Sequence, residues 1–280
     1  LLDMDTCIEA VDRAFRLHAE GKTLAPGVLG VAADGGGFHI KAAGLRGTAA
    51  AGSAVSRTYF AAKINGNFAT NPGRGWPRIQ GVIVLCDGDN GTPLAILDSI
   101  EITRVRTAAA TAVAARALAR SDARVATICG CGVQGRAQLE ALTRVATLAT
   151  VHAYDVNSEV AERFARDMSA ALGIPVRATK DLPAAIERSA ICVTATPAQE
   201  WFLARSWVAP GTFIAAVGAD SEDKRELEPA LLAASTIVVD LRAQCATIGE
   251  LHHALADGTL SASAAVAELG EVLTGKRPGR

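Results

Sequence analysis

The chain has 280 residues, half of them hydrophobic and a fifth charged, with a formal net charge of −1. That length suffices for two domains with real cores, and the balance of apolar to charged residues excludes a disordered chain. The near-zero charge offers no electrostatic footing for nucleic acid or an anionic membrane, and no apolar run approaches the ~20 residues that cross a bilayer.

The first element expected is a helix in MDTCIEAVDRAFRLHAEGK, where Cys7, Ile8, Val11, Ala14, Phe15 and His18 share one face and Gly21 suits a C-cap. From about 28 to 68 the pattern changes to short β-like runs, VLGVA, GFHIKAA and TYFAAKIN, separated by glycines. ATNPGRGWPRIQ reads as a loop. GVIVLCDGDNGTPLAILDS reads as a hairpin, its Asp-Gly and Asn-Gly pairs between Asp87 and Gly91 suiting tight turns. An alanine-rich helix follows residue 100. Strands are then expected at 124–129, 149–154, 174–178, 190–195, 212–217 and 235–240, with helices over 134–146, 157–171, 181–187 and 227–233. This alternation predicts an α/β fold, a doubly wound parallel sheet of Rossmann type, preceded by an α+β domain. The tail, 249–276, reads as helical and is expected to pack back on the first domain. The expected boundaries are 1–105, joined by 256–280, for the α+β domain and 106–255 for the Rossmann domain.

Cys7, Cys86, Cys129, Cys131, Cys192 and Cys245 lie scattered with no C-x-x-C, so reduced cysteines buried as small hydrophobes are expected and no metal site. No charged-then-apolar leader opens the chain, which suits a cytoplasmic protein. Leu1 in place of Met, and the basic end GKRPGR, suit a trimmed chain.

The strongest motif is Gly130-Cys131-Gly132-Val133-Gln134-Gly135. A lone G-x-G-x-x-G is weak evidence in a glycine-rich chain, but this one follows a strand and opens a helix. Asp155 ends the next strand, 20 residues beyond Gly135. Gly130 would allow the tight turn, Gly132 the approach of a pyrophosphate, and Gly135 close packing of helix on strand. Asp155 would bond the ribose hydroxyls and repel a 2′-phosphate, so NAD, as NADH, is the favoured cofactor and NADPH the second candidate. Val133, Gln134 and Val156 border this site. Thr194, Thr196, Val217 and Gly218, at later strand ends, complete the candidate cofactor-binding set.

An enzyme moving a hydride on amino or imino acids needs cations for a carboxylate and an acid/base for nitrogen. Arg106, in EITRVRTAAATAV, offers a bidentate guanidinium; the alternative is a solvated arginine at a helix end. Lys63, in YFAAKINGN, interrupts an apolar strand, so it either faces an anion or guards a sheet edge. Lys41, in FHIKAAG, poses the same choice, with His39 close enough to share its site. Asp220, after the strand TFIAAVGAD, is either an acid/base at the ligand-binding edge or the N-cap of the following helix.

Together, AAKINGNFATNP, the segment from GVIVLCDGDNG to RTAAATAVAARALAR, ICGCGVQGRAQLEAL and AAVGADSEDKRELEPALL resemble the ornithine cyclodeaminase/mu-crystallin family over nearly the whole chain. The resemblance implies a homodimer in which an N-terminal domain binds a small amino or imino acid across a cleft from a Rossmann domain. It assigns Lys63 and Arg106 to the substrate carboxylate and Asp220 to acid/base work. Members either cyclise ornithine or lysine with loss of ammonia through a bound NAD, or reduce a C=N to an amine. Cyclodeaminases carry a further arginine before the second strand, whereas TLAPGVLGVAADGGGFHIKAAG has none. Lys41 stands at a position usually apolar, and His39 at one associated with an acidic residue. These departures lean toward an imine reductase or amino-acid dehydrogenase acting on a compact anionic substrate.

Overall fold

The computed structural model describes residues 2–49, 56–261, 264 and 266–280. Its backbone contacts divide it into two units, Arg16–Val105 and Leu1–Phe15 with Arg106–Arg280. The division falls within the helices α1 (Met4–Ala19) and α2 (Ile100–Leu118).

Between those helices the chain forms five antiparallel strands: β1 (Thr23–Ala33), β2 (Gly36–Ala49), β3 (Ser56–Phe68), β4 (Ile79–Asp87) and β5 (Pro93–Asp98), side by side in sequence order. The runs expected as short strands are parts of long ones. Glycines weaken a strand locally but do not break it where neighbouring strands hold the ladder; Gly44 on β2 pairs with Leu24 on one side and Phe60 on the other. The β4–β5 hairpin turns as its sequence requires, with Gly91 at φ +80° and Gly91 N–H donating to Asp87 O at 2.8 Å.

Period-two alternation gives this sheet two faces. One carries Leu29, Ile40, Ile64 and Val82 in register across β1 to β4. Leu29, Ile64 and Val82 on that face are exposed, as are Val31, Phe38 and Ile96. The other face carries Lys41 directly opposite Lys63.

The second unit alternates β6 (Val125–Cys129), α3 (Val133–Leu142), β7 (Thr150–Tyr154), α4 (Ser158–Leu172), β8 (Val176–Ala178), α5 (Leu182–Glu187), β9 (Ile191–Thr194) and β10 (Phe213–Ala216). The five strands are parallel in the order β10-β9-β6-β7-β8, so the strand order reverses between β6 and β9. Ile128, Leu139, Leu142, Val151, Phe164 and Val193 fill its core with no exposed surface. Asn157 caps α4 by accepting from Glu159 N–H at 3.0 Å, and Gly173 ends it at φ +68°.

The sixth expected strand leaves this sheet. After α6 (Pro229–Ala233), only Val238 and Val239 form a strand, β11, and it pairs with the tail's β12 (Ala267–Glu268) in a separate parallel pair. The tail is therefore not one helix. α7 (Arg242–Cys245) and α8 (Glu250–Ala256) precede β12, with Gly258 at φ +74° just beyond α8, and α9 (Leu269–Leu273) follows. Residues 256–280, expected to join the α+β domain, group instead with the unit of Arg106–Arg280. Val266, Leu269 and Val272 are buried, and the β11–β12 ladder ties the segment to that unit.

Phe164 is fully buried with the Arg136 guanidinium 5.5 Å over its ring. Phe164→Ala is expected to cost about 3–5 kcal/mol in urea unfolding; a loss well under 1 kcal/mol would show that this core collapses onto the space.

Candidate functional site

The glycine turn lies where β6 hands over to α3. Gly130 adopts φ +96°, and a Cβ there would stand 2.5 Å from Ala195 O. A Cβ on Gly135 would overlap Gly130 O, so the helix packs against the strand end only because residue 135 is glycine. Gly132 is the opposite case. It is the N-cap of α3, has open space beside it, and offers no side chain to the first N–H groups of the helix. The N-terminus of a ten-residue helix is thus left facing outward, which favours an anion.

Asp155 backs this turn. Its Oδ2 accepts from Cys131 N–H at 2.9 Å, and its Oδ1 from Asn157 N–H at 3.0 Å. An ionised carboxylate has about four acceptor sites, so capacity remains for a ligand's hydroxyls. Val133 and Val156 flank the turn 67% and 95% exposed, an apolar border suited to a flat ring. Gln134 lies one turn before the buried Gln138 on α3 and accepts from its Nε2 at 3.4 Å. Burial, with the Asp155 charge beside it, pushes the Cys131 thiol up to about 12, which keeps it protonated. The six cysteines are free thiols.

Thr194 and Thr196 do not present free hydroxyls. Both donate to the carboxylate of Glu226, at 2.6 and 2.7 Å, and Thr194 is fully buried. Val217 and Gly218 continue from β10 beside them, their N–H groups donating to Thr194 O at 2.9 and 3.1 Å. Sequence reasoning missed Glu226. It stands in SEDKRELEP, a charge-rich run that reads as a solvated surface, yet it has no exposed area.

Asp220 is exposed and ion-paired with Lys224 one turn on. It caps no helix, since α6 has Glu228 in its N-cap position. Arg106 keeps part of its side chain in solvent while the protein around its guanidinium lowers its pKa. The carboxylates of Asp240 and then Asp220 oppose that shift, with Cys7 a smaller contributor. Arg106 and Asp220 therefore share one electrostatic neighbourhood. The adjacent Arg104 is held bidentately by Glu101, at 2.9 and 2.6 Å.

In the antiparallel unit, Lys63 lies on β3, the middle strand of five, so the edge-guard alternative does not apply to it. Lys41 on β2 is likewise interior and sits directly across from Lys63. His39 pairs with Asn65 one step along the same face. Lys63 Nζ and Asn65 Nδ2 both donate to Thr103 Oγ1 at 3.4 Å, and buried Asn65 accepts from Ser99 Oγ at 2.7 Å. Like charges directly opposite on a sheet destabilise it unless something offsets them.

A nucleotide-type turn, a carboxylate behind it, an Arg–Asp neighbourhood and a paired-lysine sheet face now stand together in one chain. The family model for the ornithine cyclodeaminase/mu-crystallin family matches residues 1–280. The chain belongs to that family. Within it, an alanine dehydrogenase of Archaeoglobus fulgidus is 34% identical over 285 residues, spanning 100% of this chain and 83% of the relative. An archaeal alanine dehydrogenase dimer with bound NAD superposes with a TM-score of 0.92 at 34% identity, covering 100% of this chain and 83% of that one. The Delta(1)-pyrroline-2-carboxylate reductase of Thermococcus litoralis, in complex with NADH and L-proline, superposes at 0.90 with 32% identity, covering 100% and 85%. Other relatives in the ornithine cyclodeaminase/mu-crystallin family include ketimine and iminosuccinate reductases and cyclodeaminases. Among the described residues no group of side chains could hold a metal ion, and no helix is long and apolar enough to cross a membrane.

Gly135→Ala is expected to destabilise the protein and to remove anion binding at the α3 N-terminus, read by thermal unfolding with and without nucleotide. Unchanged melting would show that the helix can shift. A second expectation concerns Glu250, where burial raises the carboxyl from 4.5 to about 7 against the opposing bonds from Glu226 and Leu227 N–H. The native state keeps that proton where the unfolded chain has lost it, so stability falls as pH rises from about 4.5 to about 7. Glu250→Gln should flatten this decline in urea unfolding across that range; an undiminished slope would assign it to other groups.

Proposed function

We propose that this protein is an NADH-dependent reductase that converts the C=N of a small imino acid into an L-amino acid. The observation that carries this reading over cyclodeamination is the pairing of Lys41 with Lys63 on interior strands. A face with two opposed cations favours a compact anionic substrate and disfavours the cationic tail of ornithine. The residues at the β6–α3 junction fit the cofactor: Gly130, Gly132 and Gly135 leave the helix N-terminus open to a diphosphate, with Val133 and Gln134 beside it. Asp155, next to Val156, would take the adenosine ribose and disfavour a 2′-phosphate. Thr196, Val217 and Gly218 would border the nicotinamide half.

When bound, NADH supplies a hydride to the imine carbon. The family resemblance assigns Arg106 and Lys63 to the substrate carboxylate, a group that a guanidinium can bind bidentately, and Lys41 and His39 share the sheet face of Lys63. Asp220, directly or through water, delivers the proton that the nitrogen takes up. Its exposure and its place after a parallel strand's carboxyl end suit that exchange.

We also propose a homodimer formed through the exposed apolar sheet face of Leu29, Ile64 and Val82. Contiguous apolar patches of this kind usually mark an interface, and one similar alanine dehydrogenase structure is described as a dimer.

Three measurements test these readings. NADH oxidation is expected with imino acids, or with small keto acids plus ammonia or an amine; ammonia release from ornithine without net NADH change would select cyclodeamination instead. Asp220→Asn should lower kcat by at least about a hundredfold while leaving NADH affinity within a few-fold, and equal loss of both would mark Asp220 as structural. Ile64→Lys should convert the dimer to a monomer in light scattering, and a dimer undisturbed by it would place the interface elsewhere.

A further inference from the structure

Glu226 is fully buried, yet its four acceptor bonds come from two hydroxyls and two backbone N–H groups, not from a cation. Oε2 accepts from Thr194 Oγ1 at 2.6 Å and from Gly218 N–H at 2.9 Å. Oε1 accepts from the N–H and Oγ1 of Thr196, both at 2.7 Å. The residue carrying this carboxylate is itself pinned. Its N–H donates to Glu250 Oε1 at 2.6 Å, and its carbonyl accepts from the N–H groups of Phe202 and Leu203, both at 3.0 Å. A Cβ on Gly218 would overlap the carboxylate, so the chain leaving β10 is glycine where Glu226 presses against it.

Thr194 ends β9, Thr196 lies two residues beyond it, and Gly218 two residues beyond the end of β10. One carboxylate therefore clamps the carboxyl ends of two neighbouring parallel strands. Ligands of open parallel sheets lie across such ends at the point where strand order reverses. Here that point is between β6 and β9. With the adenosine half on the Asp155 side, over β6 and β7, the other half of a dinucleotide falls over β9 and β10.

We propose that Glu226 is a positioning residue for the nicotinamide half of the cofactor, holding the ends of β9 and β10 in the arrangement that half requires. The proposal rests on the reading that the protein binds NADH. Glu226→Gln keeps the shape but turns one acceptor into a donor, which meets the N–H of either Thr196 or Gly218 and releases one strand end.

Calorimetry with two probes tests this: NADH, and ADP-ribose, which lacks the nicotinamide. Glu226→Gln is expected to weaken NADH about tenfold or more and to leave ADP-ribose within about twofold of the wild-type protein. Thr194→Val removes one donor at a position too buried to touch a ligand, and should show a smaller loss of the same selectivity. It also carries the comparison if Glu226→Gln does not fold. Parallel losses for both probes, or no loss for either, would overturn the positioning role while leaving NADH binding in place. A wild-type protein that binds neither probe would overturn the cofactor reading, and this proposal with it.

Discussion

The backbone of α3 approaches the end of β6 so closely that no side chain fits between Gly130 and Gly135. That contact aims the helix N-terminus across the carboxyl edge of the parallel sheet, and the rest of the second unit is arranged around it. Asp155 reaches back from β7 to hold Cys131 N–H, so the neighbouring strand fixes the turn's height. On the same side Gly130 N–H donates to Tyr154 O at 2.9 Å, and on the far side Ala195 N–H, just past β9, donates to Cys129 O at 2.9 Å, tying the turn to both flanking strands.

The same edge carries an unusual charge arrangement. Glu226 and Glu250 bury two carboxylates in sequence, one receiving hydroxyls and strand-end amides, the other receiving the backbone N–H of the first. Burial raises the pKa of both, against the bonds that favour the charged forms. Buried ionisable groups are costly unless their acceptors are filled, and here backbone amides fill them. What results is an acidic substructure beneath a strand edge whose exposed charges, Asp220 and Arg106, remain accessible to solvent.

The antiparallel unit solves a different problem. Its sheet has one face with Leu29, Ile64 and Val82 in the open and a second on which Lys41 and Lys63 are opposed, in register with Val28 and Ile83. The exposed apolar residues of the first are the basis of the proposed dimer, and the lysines of the second are the basis of the proposed substrate face.

Local sequence determined what local physics controls. Strand–turn–helix grammar located β6 to β10 to within a residue or two, because apolar runs, glycines and helix caps act over a few residues. It located the turn of Gly130, Gly132 and Gly135 at the start of α3, and Asp155 at the end of the next strand, for the same reason. It misjudged the tail and the sixth strand, since β11 and β12 are two residues each and exist only because they meet. It offered two readings of Lys63, and position in the sheet removes one of them: a lysine on the middle strand cannot be an edge guard. It passed over Glu226, because a glutamate among Asp, Lys and Arg looks solvated until the strand ends that bond it are in place. Spacing along the chain sets which residues share a strand, a turn or a helix face. Burial, register and the partner of a charge depend on residues tens of positions apart, and only the folded chain brings those together.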